Sequence, residues 1–489
     1  MSLKEKTLRG LTWSFVDSSF SQVITFIVGI VLARLVSPAE FGVLAFIFFF
    51  ISISESLIDS GFGTALIRKK DCTTTDFSTV FYFNLIVSIT IYIILYLSAP
   101  LVESYFNVHG LALILRVTGC VLIFNALGYI QQTLLSKRID FKTLTKITVI
   151  TNLLAGILAI VLAYKGFGVW SLVWRILLGT FFSSLFLWVF NNWRPKLVFS
   201  IKSFKELFGF GYKMALAGLI DTIYSNIMAP IIGKIYSPET LGQYERAQKF
   251  PKLFSSTLTR IIQRVTYPVL STIQDDPEKL KSGYRKMIKS TMLITFTCMI
   301  GLVAIAKPLI LILIGEQWLP CIPFMQLICL KSMFYPLHAM NLNIIMVKGR
   351  SDLFLKLEVI KKIMYTPNIF VGIYFGVVPY LIGGIILSIV AYLLNSYYSA
   401  DLIRYSSKEQ ILDILPFLLI SVFVWMIIWC ITFFEWNNWI TIFFQVGAGS
   451  IFTIGIFEML NQPDYREVKH IALHFLIKNF KKKSITQQF

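Results

Sequence analysis

The chain of 489 residues is short of charge and has no long polar stretch. Asp, Glu, Lys and Arg make up 15% of it, hydrophobic residues 56%, and the mean hydropathy is +0.72. A soluble globular chain carries about 25% charged residues, so that class is excluded. No polar interval between apolar runs exceeds roughly 25 residues, well short of an independent domain. The six cysteines (Cys72, Cys120, Cys298, Cys321, Cys329 and Cys430) are scattered and give neither a disulfide framework nor a zinc spacing. There is no phosphate-binding loop, no dinucleotide glycine motif and no GxSxG elbow. His470 and His474 share a helix face but no HExxH pattern surrounds them, and they read as the polar side of a tail helix. Asp275 and Asp276 in "QDDPEKLK" read as a solvated loop. No catalytic residue, metal or cofactor is expected.

What fills the chain instead is apolar sequence. Runs such as "FIVGIVLARL", "LIVSITIYIILYL" and "ILPFLLISVFVWMIIWCITFF" recur along nearly its whole length. A membrane-crossing helix needs about 20 such residues, and about fourteen can be placed. No small-residue cleavage site follows the first run, which reads as a retained span and not a signal peptide. The net charge of +19 is concentrated in alternate loops: "IRKKD", "SKRIDFK", "PEKLKSGYRKMIK" and "VKGRSD" are basic. The intervening "VESYFNVHG", "IGEQWLPC" and "FEWNNW" are not. This is the positive-inside pattern, not a nucleic-acid surface, and it puts both termini in the cytoplasm with Cys72 and Cys321 on opposite sides. The last segment, "REVKHIALHFLIKNFKKK", reads as a basic amphipathic helix lying on anionic headgroups.

One short loop is spelled twice. "LARLVSPAEFGVLA" from Leu32 is echoed by "IGKIYSPETLGQYE", with Ser37, Pro38 and Gly42 recurring as Ser237, Pro238 and Gly242. A looser echo pairs Tyr164 and Gly166 with Tyr374 and Gly376. Two parallel six-helix lobes suit a rocking, alternating-access transporter. The expected organisation is an N-lobe over 1–200 (spans 1–6), a C-lobe over 201–405 (spans 7–12), two further spans over 406–460 and a basic tail over 461–489.

The stretches "LRGLTWSF", "LARLVSPAEFGVLA", "LSKRIDFKTLTKI", "YSPETLGQYERAQKFPKLF" and "RVTYPVLSTIQ" together resemble the polysaccharide transporter family. This is the Wzx-type flippase branch of the superfamily that includes MATE exporters and MurJ-type lipid flippases. The resemblance implies an all-α, MATE-like membrane fold. It also implies ion-coupled movement of an undecaprenyl-pyrophosphate-linked oligosaccharide from the inner to the outer leaflet of a bacterial inner membrane, for O-antigen, exopolysaccharide or capsule. Implied partners are the lipid-linked glycan, membrane lipids, and polysaccharide polymerase and assembly proteins. A MATE-like exporter of small cations is the alternative, but it should prefer an acidic cavity. A glycan polymerase or ligase should present a substantial outer loop, and the sequence has none.

Charges inside spans are costly and usually face a cavity or a partner. They are Asp17, Glu55, Asp59, Arg116, Arg175, Asp221, Arg246, Lys249, Arg260, Arg264 and Lys331. At about 100° per residue, Arg246, Lys249, Arg260 and Arg264 fall within about 60° of one another, while Lys252 lies off that face. Their stripe covers roughly 27 Å, most of the hydrocarbon thickness. With Lys331, they are the expected substrate-binding cations. Arg116 and Arg175 lie near the outer surface, where snorkelling accounts for them. The expected coupling acids are Asp17, Glu55, Asp59 and Asp221; Glu55 and Asp59, four apart, share one helix face. His338, beside Pro336, reads as a packing histidine.

Overall fold

The computed structural model describes residues 20–462 apart from Ser60, together with 464–466 and 469. The side chains of 210, 213–214, 260–265, 267–269 and 351 are outside that description. Asp17 and nearly all of the expected tail helix, including His470 and His474, therefore lie outside the described residues.

No strand occurs among the described residues. The helices are α1 (Phe20–Leu35), α2 (Pro38–Asp59), α3 (Phe62–Arg68), α4 (Thr74–Phe106), α5 (Leu111–Lys137) and α6 (Phe141–Tyr164). They continue as α7 (Val169–Phe190), α8 (Ile201–Asn226), α9 (Met228–Ile235), α10 (Pro238–Thr272), α11 (Pro277–Ala304) and α12 (Ala306–Leu313). The last are α13 (Cys321–Ser332), α14 (Tyr335–Val347), α15 (Ser351–Phe375), α16 (Val377–Ile403), α17 (Ser407–Trp429) and α18 (Asn438–Met459). Among the described residues, ten helical stretches are long and apolar enough to cross a membrane, by length and composition. The sequence reading differs from the structure in detail. Where it draws one span near residue 333, the structure has two short helices, broken at Met333–Phe334 ahead of Pro336. The eighth expected span is a 35-residue helix, α10, too polar to be among the ten.

Local chemistry sets the helix starts. Thr73 and Asp76 close a reciprocal capping box on α4, and Ser406 and Glu409 close another on α17. Asp276 caps α11 ahead of Pro277.

The chain divides into two compact units, Met1–Glu245 and Arg246–Phe489. In the first unit the twice-spelled loop explains itself. Ser37 Oγ accepts from Glu40 N at 3.4 Å, and Ser237 Oγ accepts from Thr240 N at 3.0 Å. Each serine caps a helix that begins with proline, α2 or α10. A methyl group on Gly42 would run into the Pro238 carbonyl, and one on Gly242 into the Pro38 carbonyl. The two helix starts cross at their glycines, at backbone distance, so the motif is spelled twice because it packs against its own copy.

Two basic residues of this unit have structural work. Proline at position 100, inside α4, has no N–H to offer the Tyr96 carbonyl. Arg116 Nε on α5 supplies the donor at 3.1 Å, its guanidinium 4.4 Å from the Tyr96 ring. Near the basic loop after α3, Lys69 pairs with Asp76 at 3.2 Å and Glu206 at 3.0 Å. Burial opposes its charge, yet hydrogen bonds to Glu206 and Asp76 hold the Lys69 ammonium above the usual lysine range.

In the second unit, α11 presents Lys281, Arg285 and Lys289 at one-turn intervals. Lys281 pairs with Glu409 at 3.1 Å, and Lys289 with Asp464 at 2.6 Å. Arg285 grips Asp413 through Nε and Nη2 at 2.6 and 2.7 Å, and Tyr405 Oη donates to the same carboxylate. Further along, the Trp425 indole lies against Gly301 of α11 and Gly449 of α18. Cys321 is fully buried.

Candidate functional site

The candidate residues fall into three groups, none of which the sequence draws together completely. The first is the acid pair of α2. Asn125 Nδ2 donates to Glu55, and Tyr129 Oη donates to Asp59. Asn125 and Tyr129 are also four residues apart, on α5, so two helices meet along matching one-turn ladders. Tyr129 Oη in turn accepts Gly63 N at 2.7 Å, beside Gly61, whose φ of 70° breaks α2 from α3. A single phenol thus connects an exposed intramembrane carboxylate to a helix break. Sequence reasoning finds the acids and misses their partners, because a pairing across about 70 residues leaves no local pattern. Asp221 lies on α8 and is exposed.

The second group is α10. Its 35 residues carry Arg246, Lys249, Lys252, Arg260 and Arg264 against two acids, Glu239 and Glu245. At about 100° per residue, Ser255, Thr259 and Thr266 fall roughly opposite the stripe of Arg246, Lys249, Arg260 and Arg264. All three are buried, whereas Lys249 is exposed. Of the stripe's described side chains, Lys249 is the more exposed. Arg260 and Arg264 lie on α10, their side chains outside the description. Arg246 is part-buried, with its guanidinium 5.2 Å from the ring of the fully buried Trp318, so that end of the stripe is anchored by an aromatic face. Lys252, expected to lie off the face, is also exposed.

The third group surrounds Lys331, in the last turn of α13 just before the helix break. Its ammonium lies 5.9 Å from the ring centroids of Tyr365 and Tyr380. Its carbonyl accepts from Ser388 Oγ at 3.5 Å. His338 does sit in packing: Nε2 meets Ser388 Oγ at 3.1 Å and Nδ1 meets Asn395 Nδ2 at 3.4 Å. The remaining candidate, Arg175, is part-buried on α7 without an ion pair among the described residues. Among those residues no cluster of His, Cys, Asp and Glu could hold a metal ion.

Comparison with known proteins follows the same lines. The family described as "Polysaccharide biosynthesis protein" matches residues 31–323. The teichuronic acid biosynthesis protein TuaB of Bacillus subtilis (strain 168) is 24% identical over 424 residues, covering 86% of this chain and 87% of that protein. The lipopolysaccharide biosynthesis protein WzxC of Escherichia coli (strain K12) is 26% identical over 428 residues, 86% of each chain. The succinoglycan biosynthesis transport protein ExoT of Rhizobium meliloti (strain 1021) is 23% identical over 324 residues, 66% of each. Among solved structures, the inward closed conformation of the lipid II flippase MurJ superposes with a TM-score of 0.73 at 17% identity, over 92% of this chain and all of that one. An inward-facing multidrug resistance MATE transporter gives 0.57 at 15% identity, over 79% and 96%. The fold is thus of the MurJ and MATE kind.

Proposed function

The chain belongs to the polysaccharide biosynthesis protein family, and from that premise we propose that it flips a polyprenyl-pyrophosphate-linked oligosaccharide from the inner to the outer leaflet of a bacterial inner membrane. It is a multi-pass membrane transporter, not an enzyme. The observation that carries the reading is α10: a 35-residue helix carrying five basic residues against two acids, with Lys249 exposed, beside ten stretches apolar enough to cross a membrane among the described residues. Such a helix is not at home against lipid along its whole length. It suits a path for a polyanion. Guanidinium groups pair phosphate oxygens bidentately, and several moderate sites in a row permit both capture and release. Arg246, Lys249, Arg260 and Arg264 form this track; Lys331, on α13, is a further substrate-binding cation outside it. A cationic drug would be repelled along the same stripe, which weighs against the MATE-like cargo.

The remaining parts of the reading are consistent with this cycle. Helix α1, helix α10, the broken pair α13–α14 and α15 join the ten apolar stretches to give fourteen spans, arranged as an N-lobe over 1–200, a C-lobe over 201–405 and a terminal pair. Both termini are cytoplasmic, as the basic loops suggest, and the tail over 461–489 rests on anionic headgroups. Transport is ion-coupled through Glu55 and Asp59, with Asp17 and Asp221 as further acids. Substrate reaches the protein from glycosyl-transfer steps on the inner side and leaves toward polymerase and assembly proteins.

Deleting the gene in its own host tests this. Lipid-linked glycan should accumulate in the inner leaflet and surface polysaccharide should disappear. A variant with Gln at Arg246, Lys249 and Arg260, present at normal level, should fail to restore export. Full export by that variant would remove the track.

A further inference from the structure

Among the described residues Lys331 has no counter-charge, and the acids of the helices packed around it are distant or paired elsewhere. Its ammonium makes no hydrogen bond or ion pair among the described residues. It stands between two tyrosine rings, and a methyl group on Gly384 would touch its Cδ, Cε and Nζ at 3.4–3.5 Å, so the glycine leaves room beside the charge. Beside α13, α15 and α16, helices α11, α12 and α14 pack here; α12 and α14 carry no acid, and that of α11 is Glu278, in its first turn. On α15, Glu358 is held by Lys361 at 2.5 Å and Asp352 by Arg350 at 2.9 Å. The acid of α16 is Asp401, seventeen residues and about 25 Å along the helix from Gly384. Helix α13 has none.

The floor of the site is built of Asn395, His338 and Ser388: Asn395 Nδ2 lies 3.4 Å from His338 Nδ1, and Nε2 lies 3.1 Å from Ser388 Oγ. The serine hydroxyl donates to the Lys331 carbonyl. None of these three side chains offers an anion. A cation in such a place is costly without a partner, and aromatic faces and a helix C-terminus offset only part of that cost.

We propose that Lys331, with Tyr365 and Tyr380, is a subsite for an acidic sugar unit of the transported glycan, distinct from the pyrophosphate track on α10. The inference rests on the flippase reading above. A compact ammonium is a point charge suited to a single carboxylate, whereas the α10 guanidiniums suit the forked geometry of phosphate. Tyrosine faces present flat, amphipathic surface to a pyranose ring, which a lipid pyrophosphate does not have. The break between α13 and α14 is the kind of discontinuity that marks substrate sites in transporters of repeated architecture. The carried glycan therefore contains a uronic acid or a comparable carboxylate-bearing sugar.

The test uses the purified full-length protein in nanodiscs and reads its thermal unfolding midpoint against three probes: a hyaluronan tetrasaccharide, its carboxyl-reduced neutral form, and inorganic pyrophosphate. The acidic tetrasaccharide should raise the midpoint and the reduced form should not. Lys331→Gln should weaken the acidic tetrasaccharide by about tenfold, the scale of one charge-assisted contact, and leave pyrophosphate unchanged, while Lys331→Arg keeps both. If Lys331→Gln does not fold, Gly384→Leu fills the same space without altering charge and should lose the tetrasaccharide alone. No response to the acidic probe, equal responses to the acidic and reduced probes, or equal loss of tetrasaccharide and pyrophosphate in Lys331→Gln would overturn the subsite. Failure of the track reads separately, as a pyrophosphate response that is missing in the wild type or unchanged in Arg246→Gln with Lys249→Gln.

Discussion

Gly42 and Gly242 each occupy the one place where the other helix start allows no side chain: a methyl group on either would enter the carbonyl of the opposing proline. Because both contacts are with backbone, neither can relax by a rotamer change. Gly42→Ala or Gly242→Ala should therefore destabilise the protein by about 1–3 kcal/mol, the range for overpacking, and reduce export in proportion. Gly447→Ala, in the interior of α18 with open space around it, should be neutral or stabilising by up to about 1 kcal/mol. Thermal unfolding of the three purified variants decides the matter; an undisturbed Gly42→Ala would refute the crossing.

The acid pair on α2 gives a second expectation, on coupling. If Glu55 and Asp59 load and release the driving proton, Asp59→Asn and Glu55→Gln should each flatten the dependence of export on external pH while the protein remains folded. Tyr129→Phe removes the donor to Asp59 and leaves Gly63 N–H without its acceptor, so it should lower transport and stability together. Export measured across a pH series in energised vesicles separates the outcomes. A profile unchanged in both amide variants would assign coupling elsewhere.

Orientation can be read from loops and not from the native thiols, since Cys321 is fully buried. His109 is fully exposed beside Gly110, and Lys70 is exposed in the basic loop after α3. In a cysteine-free background, His109→Cys on intact spheroplasts should react with an impermeant maleimide, and Lys70→Cys should react only after lysis. The reverse labelling would invert the topology.

The grip of Arg285 on Asp413 is a bidentate pair with one half-exposed partner, 48% for Arg285 against 10% for Asp413. Screening discounts it, and a double-mutant cycle should return a coupling of about 1–2 kcal/mol. Arg285→Asp or Asp413→Arg alone should lower the unfolding midpoint, and the exchanged pair should recover most of it. Additive losses in the double variant would show that the two residues act separately.

Much of this molecule was legible in its sequence, for reasons that can be named. Apolar run length and loop charge are local quantities, so the helical membrane architecture follows from them, while the family resemblance rests on motifs such as "LARLVSPAEFGVLA" and "YSPETLGQYERAQKFPKLF". The doubled Ser-Pro-x-x-x-Gly motif was readable as a repeat, yet its meaning was not, because a crossing of two backbones leaves no trace in composition. Arg116 shows the same limit: what it does depends on Pro100, sixteen residues away on another helix, whose missing N–H is a fact about α4 and not about α5. The aromatic surroundings of Lys331 come from α15 and α16 and were likewise out of reach, whereas the spacing of the basic residues along α10 is a property of one segment and can be read from the sequence.

The ion pairs between α11 and α17 repeat at the helical period, and periodic electrostatics are ambiguous about position. Slide α17 forward by one turn and Glu409 meets Arg285 while Asp413 meets Lys289, so two attractive pairs survive the slip. Charge alone would let these helices settle in more than one alignment, as a zip fastener closes one tooth out of step. The Trp425 indole removes that freedom. Wedged against Gly301 and Gly449, it fits where both neighbours lack a side chain, and one turn away it would meet Thr297 of α11 or Ile305 just beyond that helix. A steric key thus resolves what the charges leave degenerate, and replacing the indole with a smaller ring would release a staggered form of the bundle before it unfolded it.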